Sequence, residues 1–302
     1  MLVCSLPRDS IPGRLRYEWV RRMFPGARVV HVTDDLPQEP AEHPDFWAIW
    51  RGVCRRAAPA GVDFVFASEP YGAKLAEVLD ARFVPVDPGR QLFPVSGTMV
   101  RENPLRHWHM IPECVRPYFA RRVCVFGPES TGKSTLTRDL ARHFDTVYAW
   151  EYARPLLDPQ GGKCFAEDVP RIVRGQVATE EAMATQANRV LFCDTDVLTT
   201  TVWSDLLFGD TPGWVRELAE RRTYDLYLLT DVDVPWVDDR QRFFSDDRVR
   251  RELFERFRGA LTQRGRPHVV IRGDWPTRFA AACAAVRGLL GEAAGEAVGG
   301  ER

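Results

Sequence analysis

A glycine-containing loop with one lysine and several hydroxyl residues carries the clearest chemistry in this sequence. Residues 127–135, GPESTGKST, satisfy the pattern G-x-x-x-x-G-K-[S/T], and the apolar run 123–126 precedes them. The loop thus follows a predicted strand and opens a predicted helix, which is the context that this motif requires. Backbone N–H groups of such a loop surround a phosphate, and the helix N-terminus adds its positive dipole end. The predicted nucleoside triphosphate site comprises Gly127, Pro128, Glu129, Ser130, Thr131, Gly132, Lys133, Ser134 and Thr135.

Metal and phosphate roles follow from the residue types in and near this loop. Lys133 is expected to bridge the β- and γ-phosphates of ATP, and Ser134 to ligate Mg²⁺. The second metal-side residue should be an acid at the end of a buried strand, and Asp194 directly follows the apolar run 190–193. We therefore predict metal and substrate contacts for Asp194 and a substrate contact for Asp196. For either carboxylate, the alternative is a solvated strand end.

Phosphate loops occur in several classes of protein, and the rest of the chain favours one of them. A GTP-binding switch would carry an N-K-x-D segment for the guanine, and the sequence has none. A motor ATPase would need a larger domain and arginine fingers from neighbouring subunits. A compact domain that begins near residue 119 is typical of a small-molecule kinase.

Such a kinase needs a lid that supplies arginines, because its catalysis is mainly charge stabilisation and positioning. The arginine-rich segment 236–253 lies between a predicted strand and a predicted helix. Within it, Arg242 and Arg250 are predicted to contact the transferred phosphoryl group. A solvated helix face is the alternative explanation for this run of charges.

The acceptor side is predicted in 149–157, AWEYARPLL, which follows the second strand of the same domain. In a parallel sheet of this kind the carboxyl end of that strand lies beside the phosphate loop. Glu151 could accept the proton of a substrate hydroxyl, and Trp150 with Tyr152 could hold an aromatic base. The alternative is a core aromatic pair with an incidental carboxylate.

These residues need a scaffold, and the hydrophobic pattern predicts two tandem α/β domains with parallel sheets. Residues 26–86 read as strand, helix, strand, helix, strand, and from residue 122 the same alternation begins again. We place the domains at 1–118 and 119–291. A frayed or disordered tail is predicted for 292–302.

Composition excludes several other functions. The formal net charge is −1, so no strong global field attracts nucleic acid or an anionic membrane. The seven cysteines include no C-x-x-C pair, which favours a reducing compartment and argues against structural zinc. No apolar run reaches the ~18 residues of a membrane span, and the N-terminus lacks a secretory signal. We expect a cytoplasmic protein without membrane or DNA partners, and its homo-oligomeric state is left open.

Four motifs in order resemble the nicotinamide riboside kinase domain of the NadR-type proteins. They are GPESTGKST at 127–135, AWEYAR at 149–154, FCDTD at 192–196 with the threonine pair 199–200, and PWVDD at 235–239. The resemblance implies ATP-dependent phosphorylation of nicotinamide riboside to nicotinamide mononucleotide, with Mg²⁺ as the metal ion.

The front third resembles the later part of the adenylyltransferase domain that precedes this kinase in the family. Its matching segments include 66–72 and 95–103, FASEPYG and VSGTMVREN. In the second of them, Ser96, Thr98 and Arg101 match a pattern that binds the ATP phosphates in the adenylyltransferases. The resemblance therefore implies an incomplete nucleotidyltransferase-like Rossmann domain followed by a P-loop kinase domain.

The family's histidine loop, G-x-F-x-P-x-H-x-G-H, is not found in this sequence. The first residues resemble family sequence from inside the domain, so either the chain starts at an internal methionine or the domain has decayed. We expect adenylyl transfer to be absent or weak, and residues 1–25 to be loosely ordered because a missing strand exposes sheet edges. Two alternatives stay open: a bifunctional enzyme with a longer N-terminus that also makes NAD, and a nucleotide-binding sensor without turnover.

Overall fold

The computed structural model describes residues 1–236 and 244–292. It divides into two compact units, Met1–Val115 and Arg116–Arg302, called here the N-terminal and the C-terminal unit. Among the described residues, no helix has both the length and the apolar character needed to cross a membrane.

The N-terminal unit alternates short strands and helices, as its hydrophobic pattern predicts. The strands form two parallel pairs, with the first strand beside the second and the third beside the fourth. A small core of Val32, Leu36 and Val53 lies under the first pair. The elements are β1 (Leu2–Cys4), α1 (Gly13–Met23), β2 (Val30–Val32), α2 (Phe46–Ala57), β3 (Phe64–Ala67), α3 (Tyr71–Leu79), β4 (Arg82–Pro85) and α4 (Gly97–Glu102).

The prediction that residues 1–25 are loosely ordered is wrong, because they form β1 and α1. Strand β1 pairs in parallel with β2, and Val3 at its centre is buried. On α1, the ring of Tyr17 stacks on His31 with 5.0 Å between centroids. Pairing and stacking against β2 supply the contacts that the sequence pattern did not reveal.

The C-terminal unit is built on one parallel sheet of five strands. Its helices follow the strands in the alternating order predicted from the sequence. The elements are α5 (Arg116–Phe119), β5 (Arg121–Phe126), α6 (Lys133–His143), β6 (Tyr148–Ala149), α7 (Ala153–Leu157), α8 (Val169–Ala184), β7 (Val190–Asp194), α9 (Val197–Phe208), α10 (Gly213–Arg221), β8 (Leu226–Thr230), α11 (Asp247–Thr262), β9 (His268–Ile271) and α12 (Trp275–Leu290).

The order of strands across this sheet is β6-β7-β5-β8-β9, and each neighbouring pair is parallel. The central strands β7 and β8 are buried at every residue, which is typical of a parallel sheet covered on both faces. These features confirm the predicted α/β fold class. After β5, the chain first adds β6 and β7 on one side of this strand and then β8 and β9 on the other side. Such a change of direction leaves a crevice at the carboxyl ends of the strands, here those of β5 and β7.

The predicted disordered tail, 292–302, lies outside the described residues except for its first residue. Glu292 accepts a hydrogen bond from the guanidinium of Arg189 at 2.7 Å. This contact lies next to the end of α12, which a left-handed Gly291 terminates.

Candidate active site

The phosphate loop takes its shape from two glycines in conformations that other residues rarely adopt. Gly127 has φ +139° and Gly132 has φ +82°. A Cβ at Gly127 would lie 2.9 Å from the carbonyl oxygen of Thr230, and one at Gly132 would lie 2.8 Å from the ring of Trp275. Glycine is therefore required at both positions by backbone conformation and by the close approach of neighbours. Helix α6 begins at Lys133, directly after the second glycine.

Buried hydroxyls tie the base of the loop to strand β8. The hydroxyl of Thr131 donates to the carbonyl oxygen of Pro128 at 2.9 Å and lies 2.7 Å from the hydroxyl of Thr230. Thr230 in turn donates to the carbonyl oxygen of Phe126 at 3.2 Å. These bonds join the loop to two adjacent strands of the sheet.

Arg278 on α12 is a further support of the loop that the sequence analysis missed. Its side chain is fully buried and donates to the carbonyl oxygens of Thr131, at 3.0 Å, and Asp231, at 2.8 Å. It also donates to the carbonyl oxygen of Gly273 at 2.9 Å and forms an ion pair with Asp233. An arginine in the first turn of a helix whose next residues are apolar was the signal that could have identified it.

Lys133, at the start of α6, and Asp194, at the end of β7, lie beside the same crevice. The ammonium of Lys133 donates to the carbonyl oxygen of Pro128 at 2.7 Å. Burial lowers the pKa of Lys133, while the carboxylates of Glu151 and Asp194 oppose that shift. Asp194 pairs with Val125 across β5 and β7, so its carboxyl lies beside the start of the loop.

The carboxyl group of Asp194 has the properties of a metal-side ligand. It is buried, and within the described part of the chain its Oδ1 has no hydrogen-bond partner. Burial raises the pKa of Asp194 to about 7, the nearby charge of Glu151 adds to the rise, and a hydrogen bond from Ser134 opposes it. An unpartnered carboxylate oxygen and a serine hydroxyl are hard oxygen donors of the kind that Mg²⁺ prefers. These two residues therefore fit the predicted ion.

A pocket of about 900 Å³, including its open mouth, lies next to the loop. Its polar wall includes Lys133 and Glu151. Its apolar wall includes Ile172, Trp203 and Phe208, from α8 and α9. Charged and apolar side chains thus converge on one concave site, which is typical of a small-molecule site.

Glu151 stands in the short segment between β6 and α7. Its Oε2 accepts a hydrogen bond from Nε of Arg154 at 2.9 Å. Its charge acts on both Lys133 and Asp194, so the three ionisable groups form one electrostatic cluster. The structure therefore brings this predicted acceptor residue to the phosphate loop.

The two aromatic residues predicted to hold a base, Trp150 and Tyr152, do not line the pocket. Trp150 is 47% exposed, and a Cβ at Gly175 would lie 2.0 Å from the ring of Tyr152, so this ring packs on α8. Among the described residues that line the pocket, neither ring appears. Trp203 and Phe208 supply the aromatic wall instead, and nothing in their sequence positions marks them as different from core residues.

Asp196 stabilises the beginning of α9. Its Oδ1 accepts hydrogen bonds from the backbone N–H and the hydroxyl of Thr199, at 2.7 and 3.0 Å, and its Oδ2 accepts one from Tyr227 at 3.0 Å. Both oxygens therefore accept hydrogen bonds from the protein. Those to Oδ1 make Asp196 the N-cap of α9. The predicted substrate contact is therefore replaced by a capping role.

The predicted lid arginines have different outcomes. Arg242 lies outside the described residues. Arg250 is buried on α11, where it donates to the carbonyl oxygen of Val234 at 2.8 Å and pairs with Asp247 at 3.4 Å. The prediction that Arg250 contacts the phosphoryl group is corrected, since these contacts attach α11 to the residues just before the lid segment.

Glu129 connects the phosphate loop with Phe244 of the lid segment. Its Oε1 accepts a hydrogen bond from the backbone N–H of Phe244 at 2.6 Å, and it also lines the pocket. The ring of Phe244 stacks on Trp203, with 6.4 Å between centroids and 9° between planes. A residue predicted only as part of the loop thus also anchors the neighbouring wall.

In the N-terminal unit, the predicted ATP-phosphate residues lie along α4, from its N-cap Ser96 to Arg101 in its last turn. Ser96 caps this helix by accepting from the N–H of Met99 at 3.1 Å, and Arg101 donates to the hydroxyl of Thr98 at 3.0 Å. The helix has six residues and its members are exposed or half-exposed.

The fold and the loop together define a P-loop domain that binds nucleoside triphosphates. Residues 122–278 match the family model described as an AAA domain. The chain as a whole belongs to the NadR family. It is 33% identical over 296 residues to the trifunctional NAD biosynthesis/regulator protein NadR of Escherichia coli K12, covering 94% of this chain and 71% of that protein. The NadR protein of Salmonella typhimurium LT2 is 31% identical with the same coverage of each chain.

Two solved structures of NadR proteins share the fold. One, in complex with NR, has a TM-score of 0.79 at 24% identity and covers 96% of this chain and 87% of its own. The other, in complex with NAD and AMP-PNP, has a TM-score of 0.77 at 22% identity and covers 100% and 88%. The family resemblance noted from four sequence motifs is confirmed by the Escherichia coli and Salmonella typhimurium relatives, and these two structures share its fold.

Proposed function

We propose that the C-terminal unit transfers the γ-phosphoryl group of ATP to the 5′-hydroxyl of nicotinamide riboside. One observation carries the proposal: Lys133 of the phosphate loop and the Glu151 carboxylate line one pocket, and Asp194 interacts electrostatically with both. A phosphate cradle and a proton acceptor facing the same cavity are what a kinase of a small hydroxylated molecule requires. The membership in the NadR family and the solved relative in complex with NR support the same substrate.

The residues have the following roles in this proposal. The loop N–H groups and Lys133 bind the ATP phosphates, and Arg242 of the lid segment stabilises the charge that develops on the moving group. Glu151 orients the 5′-hydroxyl and accepts its proton as the new O–P bond forms. Arg154, which donates to Glu151 at 2.9 Å, holds that carboxylate in its orientation.

Ser134 and Asp194 would hold Mg²⁺, directly or through water. The ion, when bound, neutralises charge on the β- and γ-phosphate oxygens. The two residues also contact each other, because the Ser134 hydroxyl donates to the Asp194 carboxylate. This contact sets both oxygens on the phosphate side of the pocket.

The apolar wall of the pocket would bind the nicotinamide ring of the substrate. Trp203 and Phe208 line the pocket opposite the charged residues, and flat aromatic side chains favour stacking with a planar base. The substrate's ribose would then lie between this wall and Glu151. Trp150 and Tyr152 have no part in this arrangement.

A coupled assay of ADP release with the purified chain tests the proposal. We expect ATP turnover that depends on added nicotinamide riboside, with nicotinamide mononucleotide as the product detected by mass spectrometry. Glu151→Gln should lower kcat by about 10²-fold to 10⁴-fold, because it removes the proton acceptor and leaves the shape unchanged. Glu167→Gln, at an exposed position, is the matched control and should leave kcat as it is. Absence of riboside-dependent turnover by the unaltered chain would falsify the proposal.

A further inference from the structure

Gln176 on α8 has a buried side-chain amide. Its oxygen and its nitrogen form hydrogen bonds with different parts of the C-terminal unit. It is 2% exposed and belongs to the pocket wall. Its Oε1 accepts a hydrogen bond from the backbone N–H of Tyr152 at 3.0 Å. Its Nε2 donates to Oε1 of Glu180, one turn along the helix, at 3.4 Å. The side chain therefore links the acceptor segment to the interior of the unit.

The orientation of this amide follows from the chemistry of Glu180. That carboxylate is fully buried and accepts from the hydroxyl of Tyr224 at 2.9 Å, from Arg222 at 2.8 Å and from Arg122 at 3.4 Å. The tyrosine hydroxyl and both arginines donate to this carboxylate, and the backbone N–H of Tyr152 at the other end of the amide can only donate. The amide nitrogen of Gln176 must then face Glu180, which leaves the carbonyl oxygen for the N–H of Tyr152.

The N–H of Tyr152 belongs to the peptide bond that joins it to Glu151. Fixing this peptide fixes the Cα of Glu151 and the direction in which its carboxylate leaves the backbone. The preceding strand, β6, has two residues, so pairing within the sheet holds this segment over a short distance. Packing of the Tyr152 ring on Gly175 and the bond to Gln176 attach it to α8 as well.

We propose that Gln176 is a positioning residue for Glu151: its oriented amide holds the peptide that places the proton acceptor in the pocket. The inference rests on the proposed kinase function. It differs from that function in what it assigns, because Gln176 touches the backbone and does not take part in the chemistry. A displacement of about 1 Å in a catalytic group can cost about 10²-fold in rate.

The test compares Gln176→Met with Gln186→Met, an exposed glutamine just beyond the same helix. We expect Q176M to lower kcat by about tenfold to 100-fold while the KM for ATP stays constant, since the phosphate loop is unaltered. Q186M should match the unaltered chain. Thermal unfolding and binding of an ATP analogue establish that each variant is folded. Gln176→Asn, which keeps the amide on a shorter side chain, provides the measurement if the methionine variant does not fold.

A double-mutant cycle with Glu151→Gln separates positioning from a general structural role. If Gln176 acts through Glu151, Q176M should cause little further loss of kcat once the carboxylate has been removed. Equal losses in the two backgrounds, or an unchanged kcat in the folded Q176M variant, would overturn the inference while the kinase function stands. An unaltered chain with no riboside-dependent turnover overturns both.

Discussion

The two sides of the pocket are built in different ways. The phosphate side consists of consecutive residues, 127–135, whose shape comes from backbone conformation at Gly127 and Gly132. The acceptor side takes single residues from distant parts of the chain, such as Glu151 after β6, Gln176 on α8 and Trp203 on α9. One side is therefore visible as a motif, whereas the other exists only after the helices have packed.

This difference follows from what each side must bind. Phosphates are bound by backbone N–H groups and a helix N-terminus, which a short local sequence can provide. A particular acceptor needs a cavity of matching shape and polarity, and such a cavity requires side chains from several elements. The following predictions test whether the two sides contribute separately, beginning with the largest expected effect.

Replacing Lys133 by Ala should remove catalysis of phosphoryl transfer. We expect kcat to fall by at least about 10³-fold, because the charge facing the β- and γ-phosphates is lost. The background hydrolysis of ATP without riboside should fall as well, whereas Glu151→Gln should affect only the riboside-dependent rate. Lys163→Ala, at an exposed lysine, is the control. Riboside-dependent turnover that survives in K133A would contradict the role of the loop.

Replacing Arg278 by Met should destabilise the phosphate side from outside the pocket. The change leaves the carbonyl oxygens of Thr131 and Asp231 and the carboxylate of Asp233 without their buried donor. Asp233 is 37% exposed and can be hydrated, so the main cost comes from the two carbonyl oxygens. We expect the free energy of unfolding to fall by about 1–3 kcal/mol for each buried carbonyl oxygen left without a donor. Urea unfolding measures it.

Arg287→Ala on the same helix is the control for that experiment, because its guanidinium contacts His143 at an exposed position. Its cost should remain below about 1 kcal/mol. Similar losses in the two variants would show that the buried arginine does not support the loop.

Two aspartates at the end of β7 should respond in opposite ways. Asp196→Ala leaves the N–H and hydroxyl of Thr199 and the hydroxyl of Tyr227 unsatisfied, and we expect a loss of about 1–3 kcal/mol in stability. Asp194→Ala should lower kcat by about 10²-fold without that loss, since its Oδ1 has no partner among the described residues.

The pH dependence of folding stability tests the raised pKa of Asp194. Burial raises its pKa in the folded chain to about 7, so the folded state loses stability as the pH rises through that value. In metal-free buffer at pH 8 the unaltered chain carries this cost, and D194A does not. Urea unfolding at pH 5 and pH 8 measures this difference. The free energy of unfolding of D194A, relative to that of the unaltered chain, should be higher at pH 8 than at pH 5. An equal difference at the two pH values would contradict the raised pKa of Asp194.

Sequence reasoning succeeded where a function depends on neighbours in the chain. The parallel α/β fold and the family were predicted correctly. The roles of Asp194 and Glu151, each chosen because it follows a predicted strand, stay predictions. The same reasoning misassigned Asp196 and Arg250, whose residue types suit a site but whose hydrogen bonds hold α9 and the lid connection. Charge and position along the chain do not show which way a buried side chain points.

The phosphate loop can be identified from the amino-acid sequence alone, because the spacing of Gly127, Gly132, Lys133 and Ser134 is typical of one local backbone shape. What surrounds the loop depends on the packing of the whole unit. The aromatic wall at Trp203 and the oriented amide of Gln176 depend on how α8 and α9 pack beside the sheet. Packing between distant elements is set by many weak contacts at once, so no single spacing in the sequence encodes it.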